Sequence, residues 1–397
     1  MTRRNTLWRL VALLFALAMV AAACGGDDDD STASSGGGKT SAKAYSLAFV
    51  GPLTGDAANL GIYIRDGAKT AVSEFNAANP DIKITLKEFD TQGDPAQAPT
   101  VLDKYINDDS ILGLVGPAFS GETKAVLPTL EENNLVMVSA SATNTELPNV
   151  VSGSKSFHRV LPDDAAQAAG VVKYLETKLK PSSVAIVHDN SEYGKGLAVD
   201  QVATQLPSSM KVVATEAIDP KSQDFSAAVN KVKAANPDVI FFGGYYEAAG
   251  RLKKQLADGG VNATFISGDG SLDSGFVKAA GAAADGALLS CPCYFASDAS
   301  PGKLGEFAKA YQKLNGNVPG TYSTEAYDAA NILMNGIKDG NTDRAGLRDY
   351  VEGLKKVDYA ISKDVTFAAN GNIEAQGIFV FTVKNGKIVL EVATDDL

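Results

Sequence analysis

Leu114-Val115-Gly116-Pro117-Ala118-Phe119-Ser120-Gly121-Glu122-Thr123 has a near echo later in the chain, Phe241-Phe242-Gly243-Gly244-Tyr245-Tyr246. Each is an apolar, strand-like run that reaches glycine, turns, and opens a segment of helical period. That sequence of events is the strand-to-helix turn of an α/β unit. Two such turns in the later strands of two successive series point to two similar lobes rather than one long sheet.

Outward from these segments the same alternation continues. Short runs rich in β-branched residues predict strands over 46–50, 82–89, 111–115, 136–139, 184–187, 212–217, 239–242, 264–267 and 287–290. Between them, helical periodicity predicts helices over 61–76, 96–107, 122–133, 165–179, 194–205, 225–235 and 248–257. The series restarts near Leu161, as parallel α/β units would. Helical patterns follow over 302–314, 324–337 and 344–353. The chain closes with β runs over 377–384 and 387–392 around Asn385-Gly386, a strong hairpin signal.

In doubly wound sheets, small molecules sit beyond the carboxyl ends of the strands, so the residues just after each strand carry the chemistry. After the third strand, Gly116 to Thr123 opens a helix; after the fourth comes Ser139-Ala140-Ser141-Ala142-Thr143-Asn144. Hydroxyls and free backbone N–H groups at a helix start suit a carboxylate. Plain helix capping explains either segment alone better. Two on adjacent strands, facing one edge, bring the two readings level. The second series places His188 to Tyr193, Gly243 to Tyr246 and Ser267-Gly268-Asp269-Gly270 at the same edge. Asp269 is either a partner for an ammonium group or a solvated acid in a Gly-Asp-Gly turn. A zwitterion enclosed between two such walls needs both charges met, because an unpaired buried charge is expensive.

Other function classes find less support. With 36 Lys and Arg against 47 Asp and Glu, the formal charge of −11 argues against nucleic acid and against a basic membrane-binding face. There are two histidines, His158 and His188, and no Gly-x-Ser-x-Gly elbow. No phosphate loop of the Gly-x-x-x-x-Gly-Lys-Ser/Thr kind appears, and no Gly-x-Gly-x-x-Gly follows the first strand. His188 beside Asp189 reads as a structural pair. Cys291 and Cys293 frame Pro292; a short disulfide is favoured, with free thiols as the alternative. Two soft ligands do not make a zinc site, and neither metal nor cofactor is expected.

The first residues bear on the compartment. Arg3, Arg4 and Arg9 accompany an apolar run over 10–22, too short for a comfortable membrane span. It ends in Ala21-Ala22-Ala23-Cys24, which resembles a bacterial lipobox, although Ala21 stands where Leu is commoner. An ordinary signal peptide with a chance cysteine is the alternative. The lipobox reading makes 1–23 a signal peptide and Cys24 the acylated residue, anchoring the protein at the outer face of the cytoplasmic membrane. Residues 24–44, with Asp27 to Asp30 and a Ser/Gly-rich stretch, read as a flexible tether. From Tyr45 onward roughly 350 residues suit two lobes better than one core.

Gly116 to Thr123, Ser139 to Leu147, Ile186 to Ala198, Asp224-Phe225-Ser226 and Phe241 to Tyr246 together resemble the leucine/isoleucine/valine-binding proteins of branched-chain amino-acid ABC transporters. The resemblance runs from about Ala44 to the C-terminus. It implies the type I periplasmic binding protein fold, α/β, with two Rossmann-like lobes joined by three hinge crossovers near 159–161, 290–292 and 361–366. Lobe 1 then comprises 45–160 plus 291–364, and lobe 2 comprises 161–290 plus 365–397. The implied function is capture of leucine, isoleucine or valine without chemistry, by a monomer that docks on an ABC permease.

By position, the family's carboxylate-binding serine is Ser120, and its small residue–Ala–Thr segment is Ser141, Ala142 and Thr143. There the Thr143 hydroxyl and amide would meet the carboxylate, while the Ser141 carbonyl and the same hydroxyl would help hold the ammonium. The cleft aromatics are Tyr193, Tyr245 and Tyr322. Asp269, followed by Gly270, stands for an ammonium-binding acid that is usually Glu. Leu60 stands where well-known members have a tryptophan lining the side-chain pocket. These two departures leave other amino acids or small amides open. A tethered sensing domain for such a ligand is the alternative in another class, and an extracellular enzyme is the third reading.

Overall fold

The computed structural model describes residues 42–357, 359–362, 364–374 and 377–397. The expected signal peptide and Cys24 lie outside the described residues. The first series runs β1 (Lys43–Gly51), α1 (Ala58–Ala78), β2 (Ile82–Asp90), α2 (Ala98–Ile106), β3 (Ile111–Val115), α3 (Ser120–Glu132), β4 (Val136–Ser139) and β5 (Phe157–Arg159). The second begins with α4 (Asp164–Tyr174), β6 (Ser183–His188), α5 (Glu192–Lys195), α6 (Ala203–Gln205), β7 (Lys211–Ala217) and α7 (Ser226–Ala235). It continues with β8 (Val239–Gly243), α8 (Tyr246–Asp258), β9 (Thr264–Ser267), α9 (Ser274–Ala280) and β10 (Leu288–Cys291). Then come α10 (Gly302–Asn315), α11 (Ser323–Lys338), α12 (Arg344–Gly353), β11 (Phe379–Lys384) and β12 (Lys387–Ala393).

The strands form two sheets. The first has the order β2-β1-β3-β4-β5 and is parallel throughout. The second has the order β12-β11-β10-β9-β8-β6-β7, parallel from β7 to β10, with β11 and β12 antiparallel at the edge. Both lobes therefore repeat one winding, with the second strand outside the first and the third on its other side. The order reverses between β1 and β3, and again between β6 and β8; crevices for ligands open at such points. β3, β4 and β8 are buried along their whole length, as central parallel strands with both faces covered should be.

β1 pairs with β2 from Lys43 opposite Ile82, so the last two residues of the expected tether, Lys43 and Ala44, belong to a strand. The returning helices α11 and α12 cover β3 and β4, and α11 also packs along α1. Gly67 permits that approach, since a Cβ there would lie 2.2 Å from the Ser323 carbonyl oxygen. The helix expected over 165–179 passes from α4 into a π-helical stretch at Leu175–Leu179; the one over 194–205 is α5, a π stretch at Gly196–Val202, then α6. β5 and α9 went unread because three and seven residues are too few for a periodic signal.

The chain passes between the sheets after β5, after β10, and again before β11. Cys291 and Cys293 are disulfide-bonded at the second passage, with Cα atoms 5.2 Å apart. Residues 365–373, grouped by sequence with the second lobe, lie against β5 of the first sheet. The Arg159 amide donates to the Gly371 carbonyl at 3.0 Å, and Phe367 meets the His158 ring at 4.8 Å. Gly371, with φ +78°, allows the contact, because a Cβ would sit 1.9 Å from the Phe157 carbonyl oxygen. Among the described residues no helix is long and apolar enough to cross a membrane.

Candidate functional site

The first wall is built from the loops after β3 and β4. Gly116 adopts φ +118°, and a Cβ there would lie 2.4 Å from the Val50 carbonyl oxygen, so only glycine makes this turn. The turn delivers Phe119 and Ser120 to the start of α3. There the Phe119 amide donates to Glu122 Oε2 at 2.8 Å, and Thr91 donates its hydroxyl to the other oxygen. Burial pushes the Glu122 carboxyl up to about 7, against the pull of those two donors.

The neighbouring loop is stitched to this one. Ser139 donates to the Pro117 carbonyl at 2.9 Å and Ser141 to the Ala118 carbonyl at 2.6 Å. The Asn144 amide donates to the Ser120 hydroxyl at 3.3 Å. From below, the fully buried Arg159 guanidinium donates to the Ala142 and Asn144 carbonyls at 3.1 and 2.8 Å. The Thr143 hydroxyl, between those two residues, is buried and faces the Asp164 carboxyl, whose charged form it favours.

The opposing wall centres on Asp269, fully buried just beyond β9. Tyr193 donates to its Oδ1 at 2.6 Å, and Tyr322, arriving with α11, donates to Oδ2 at 2.5 Å. The Gly270 amide donates back to the Tyr193 hydroxyl at 2.9 Å. A Cβ on Gly270 would lie 2.7 Å from the Tyr193 ring, which accounts for the glycine. Burial raises the Asp269 carboxyl, while the two tyrosine hydroxyls pull it back. Tyr322 holds φ +68°, a strained conformation for an aromatic residue, sustained by what surrounds it.

Aromatic rings close the site. Tyr245 lies 5.3 Å from the Tyr193 ring and 4.4 Å from the Phe119 ring, so it bridges the lobes. Outside this pair opens a cavity of about 910 Å³, lined by Asp56, Asp94 and Phe119 from one lobe and Asp189, Tyr245 and Glu247 from the other. Of the residues expected at the site, Tyr245 alone lines that open cavity. Ser120, Ser141, Ala142, Thr143, Tyr193, Asp269, Gly270 and Tyr322 are gathered, buried, behind the Phe119–Tyr245 pair. Leu60, wholly buried, belongs to the apolar cluster that includes Ala118, Phe119 and Tyr322.

Sequence reasoning missed Phe119, Arg159 and Asp164. Asp164 opens α4 beside its N-cap Asp163 and has the look of an ordinary first-turn acid. Yet it is wholly buried, and its amide donates to the Thr143 carbonyl at 2.9 Å.

Two doubly wound lobes joined by three passages of chain, with polar side chains buried between them, have the build of a type I solute-binding protein. The comparisons agree. Residues 44–387 match the periplasmic binding protein family model. The chain is 33% identical over 349 residues to the Leu/Ile/Val-binding protein BraC3 of Rhizobium johnstonii, spanning 87% of this chain and 93% of that one. It is 29% identical to the leucine-, isoleucine-, valine-, threonine- and alanine-binding protein of Pseudomonas aeruginosa, over 76% of this chain and 80% of that one. Among solved structures, the substrate-binding protein LivJ of Streptococcus pneumoniae, in complex with isoleucine, superposes with a TM-score of 0.79 at 26% identity, covering 88% of this chain and 99% of that one. The chain belongs to the periplasmic binding protein family, as a type I member alongside the branched-chain amino-acid substrate-binding proteins.

Proposed function

We propose that this protein is exported, anchored at the membrane through Cys24, and closes on an amino acid, foremost leucine, isoleucine or valine, for delivery to an ABC importer. The observation that carries the reading is the pairing of opposite chemistries across the cleft. The Ser120 hydroxyl at the start of α3 and the Thr143 hydroxyl in the loop after β4 stand on one side, and the Asp269 carboxylate, gripped by Tyr193 and Tyr322, stands on the other. Hydroxyls and helix-terminal amides suit a carboxylate, and Asp269 suits an ammonium, so the pocket fits a zwitterion. The names of the relatives favour branched-chain amino acids.

In this reading a ligand meets Ser120 and Thr143 on the open first lobe. Closure then brings Tyr193, Tyr245 and Asp269 onto it, adding contacts that the open state lacks. The test is a thermal-shift screen of protein unfolded and refolded to shed carried ligand, against the twenty amino acids, small amides and urea. A folded-state ligand raises the melting temperature with the logarithm of its excess over Kd. A shift confined to leucine, isoleucine and valine supports the reading. A shift with an amide alone transfers the mechanism to another ligand, and no shift at all removes the amino-acid reading.

A further inference from the structure

We propose that Glu122 is a positioning residue of the ligand wall that takes up a proton when the ligand's carboxylate docks beside it, which links affinity to pH. The inference rests on the amino-acid reading above and deepens it.

Glu122 is wholly buried in the first turn of α3, two residues after Ser120. Its oxygens join two loops. One accepts the amide of Phe119, the cap of α3, at 2.8 Å, and the other accepts the Thr91 hydroxyl from the loop after β2. Thr91 is fixed in turn, since its hydroxyl accepts from the Gly93 amide at 3.3 Å. The acid thus holds the start of α3 in place, and it sets a negative charge at the end of the helix where a carboxylate would dock. A helix N-terminus offers about half a positive charge, and a ligand carboxylate at Ser120 has to share it with Glu122.

The surroundings do not relieve that conflict. Burial first, and then the like charges of Asp90 and Asp94, bring the Glu122 carboxyl up to about 7 against the pull of Thr91 and Phe119. Asp90 itself stays ionised: burial raises it, but the Thr54 hydroxyl and the Leu53 amide outweigh this and hold it below its usual range. Tyr105 faces Glu122 from α2 and Tyr245 from the second lobe, and both feel its charge. β4 brings no titratable group. On α2 and α5, Asp103, Lys104 and Lys195 are exposed, and Tyr193 is turned to Asp269. Lys124 points outward to Glu192, at 2.9 Å.

An anion arriving at Ser120 therefore raises the Glu122 carboxyl again, and the protein binds a proton with its ligand. The neutral acid keeps both bonds. Its O–H donates to Thr91, whose hydroxyl can accept, and its other oxygen still takes the Phe119 amide. The wall survives the change of charge. Because the carboxyl lies higher with ligand than without, its contribution to affinity is complete below about pH 7 and is lost as pH rises through the window above.

The test is calorimetry of L-leucine with the purified full-length protein and with Glu122→Gln, at about pH 7.5 in buffers of different ionisation enthalpy. The wild type should take up about half a proton more per leucine than the variant. Between about pH 6 and 8.5 its affinity should also fall roughly fivefold further than the variant's. Asp164 and Asp269 are common to both proteins, so their titration cancels. Equal proton uptake and parallel pH profiles would make Glu122 a cap of α3 only and overturn the inference alone. A wild type that does not bind leucine would instead overturn the reading of leucine as ligand, and the inference with it. Thr91→Val serves if the glutamine variant fails to fold. It removes a donor to the charged form, so the fall in affinity should move to higher pH, and an unmoved profile overturns the inference.

Discussion

The Asn59 side-chain amide, in the first turn of α1, donates to Asp273 Oδ1, the N-cap of α9, across 2.9 Å. One lobe thereby latches to the other, and the Asn59 backbone amide adds a bond to the Tyr246 hydroxyl at 3.3 Å. Burial raises the Asp273 carboxyl while Asn59 and the Gly275 amide pull it back, so removing Asn59 leaves Oδ1 with the Gly275 amide and takes away its bond to the other lobe. Asn59→Ala should weaken ligand binding by about 1–2 kcal/mol, through a less favourable closed state. Small-angle scattering should show a more open unliganded protein, and an unchanged profile with unchanged affinity would remove the latch. Lys124 and Glu192 also bridge the lobes, at 2.9 Å, but both are half exposed, so Lys124→Ala should change little.

Asp269 is the acid on which the zwitterion reading depends. Asp269→Ala should weaken amino-acid binding by roughly 2–5 kcal/mol, because the ammonium is then buried without its partner. Tyr193→Phe and Tyr322→Phe each remove one hydroxyl from the carboxylate and should have smaller effects of the same sign. Near-normal affinity in Asp269→Ala, read by calorimetry, would move the ammonium elsewhere.

Strand ends were legible in the sequence because apolar runs and small, polar turns alternate sharply at them. Ser120, Thr143 and Asp269 all sit where such a run breaks, and the structure encloses all three. The relations that make a site of them were not legible. Arg159 reads as one basic residue at the end of a short run, and only the fold turns its guanidinium toward the Ala142 and Asn144 carbonyls. Asp164 reads as a helix-start acid, and nothing local signals its burial. The place of 365–373 beside β5 depends on a long-range backbone approach at Gly371, which leaves no periodic trace.

Arg159 supports the loop after β4 from beneath, and burial lowers its guanidinium to about 10 while Asp163 and Asp164 push back. Arg159→Met should fill the volume yet leave the two loop carbonyls unmet, destabilising the fold by about 3 kcal/mol. Binding should weaken in parallel, as Thr143 loses its fixed position. A variant with full affinity and a lower melting temperature would confine Arg159 to stability.

The Cys291–Cys293 bridge spans a single residue at the second passage. Closing so short a loop constrains the unfolded chain little, by about 1.6 kcal/mol on the chain-entropy estimate. The double serine variant should therefore lose roughly 1–2 kcal/mol in urea unfolding. Its ligand affinity should stay within about twofold, because neither sulfur lies among the groups gathered at the pocket. A large affinity change would instead make the bridge part of the hinge.

Burial pushes the His158 imidazole down to about 4 from its ordinary 6.5, and the pull of Glu131 does not offset it. Its Nδ1 has no partner and its ring packs on Phe367 at 4.8 Å. The folded pKa lies below the unfolded one, so the unfolded chain binds the proton first as pH falls. Stability from this site is complete above pH 6.5 and drains between there and about pH 4, by up to about 3 kcal/mol. Asp164, Asp269 and Glu122 run the other way: their raised carboxyls make the folded state gain as pH falls. A comparison of wild type with His158→Phe cancels those acids, since both proteins carry them. Urea unfolding across this pH window should show the wild type losing about 3 kcal/mol more than the variant; parallel profiles would mean that His158 takes up its proton in the folded state.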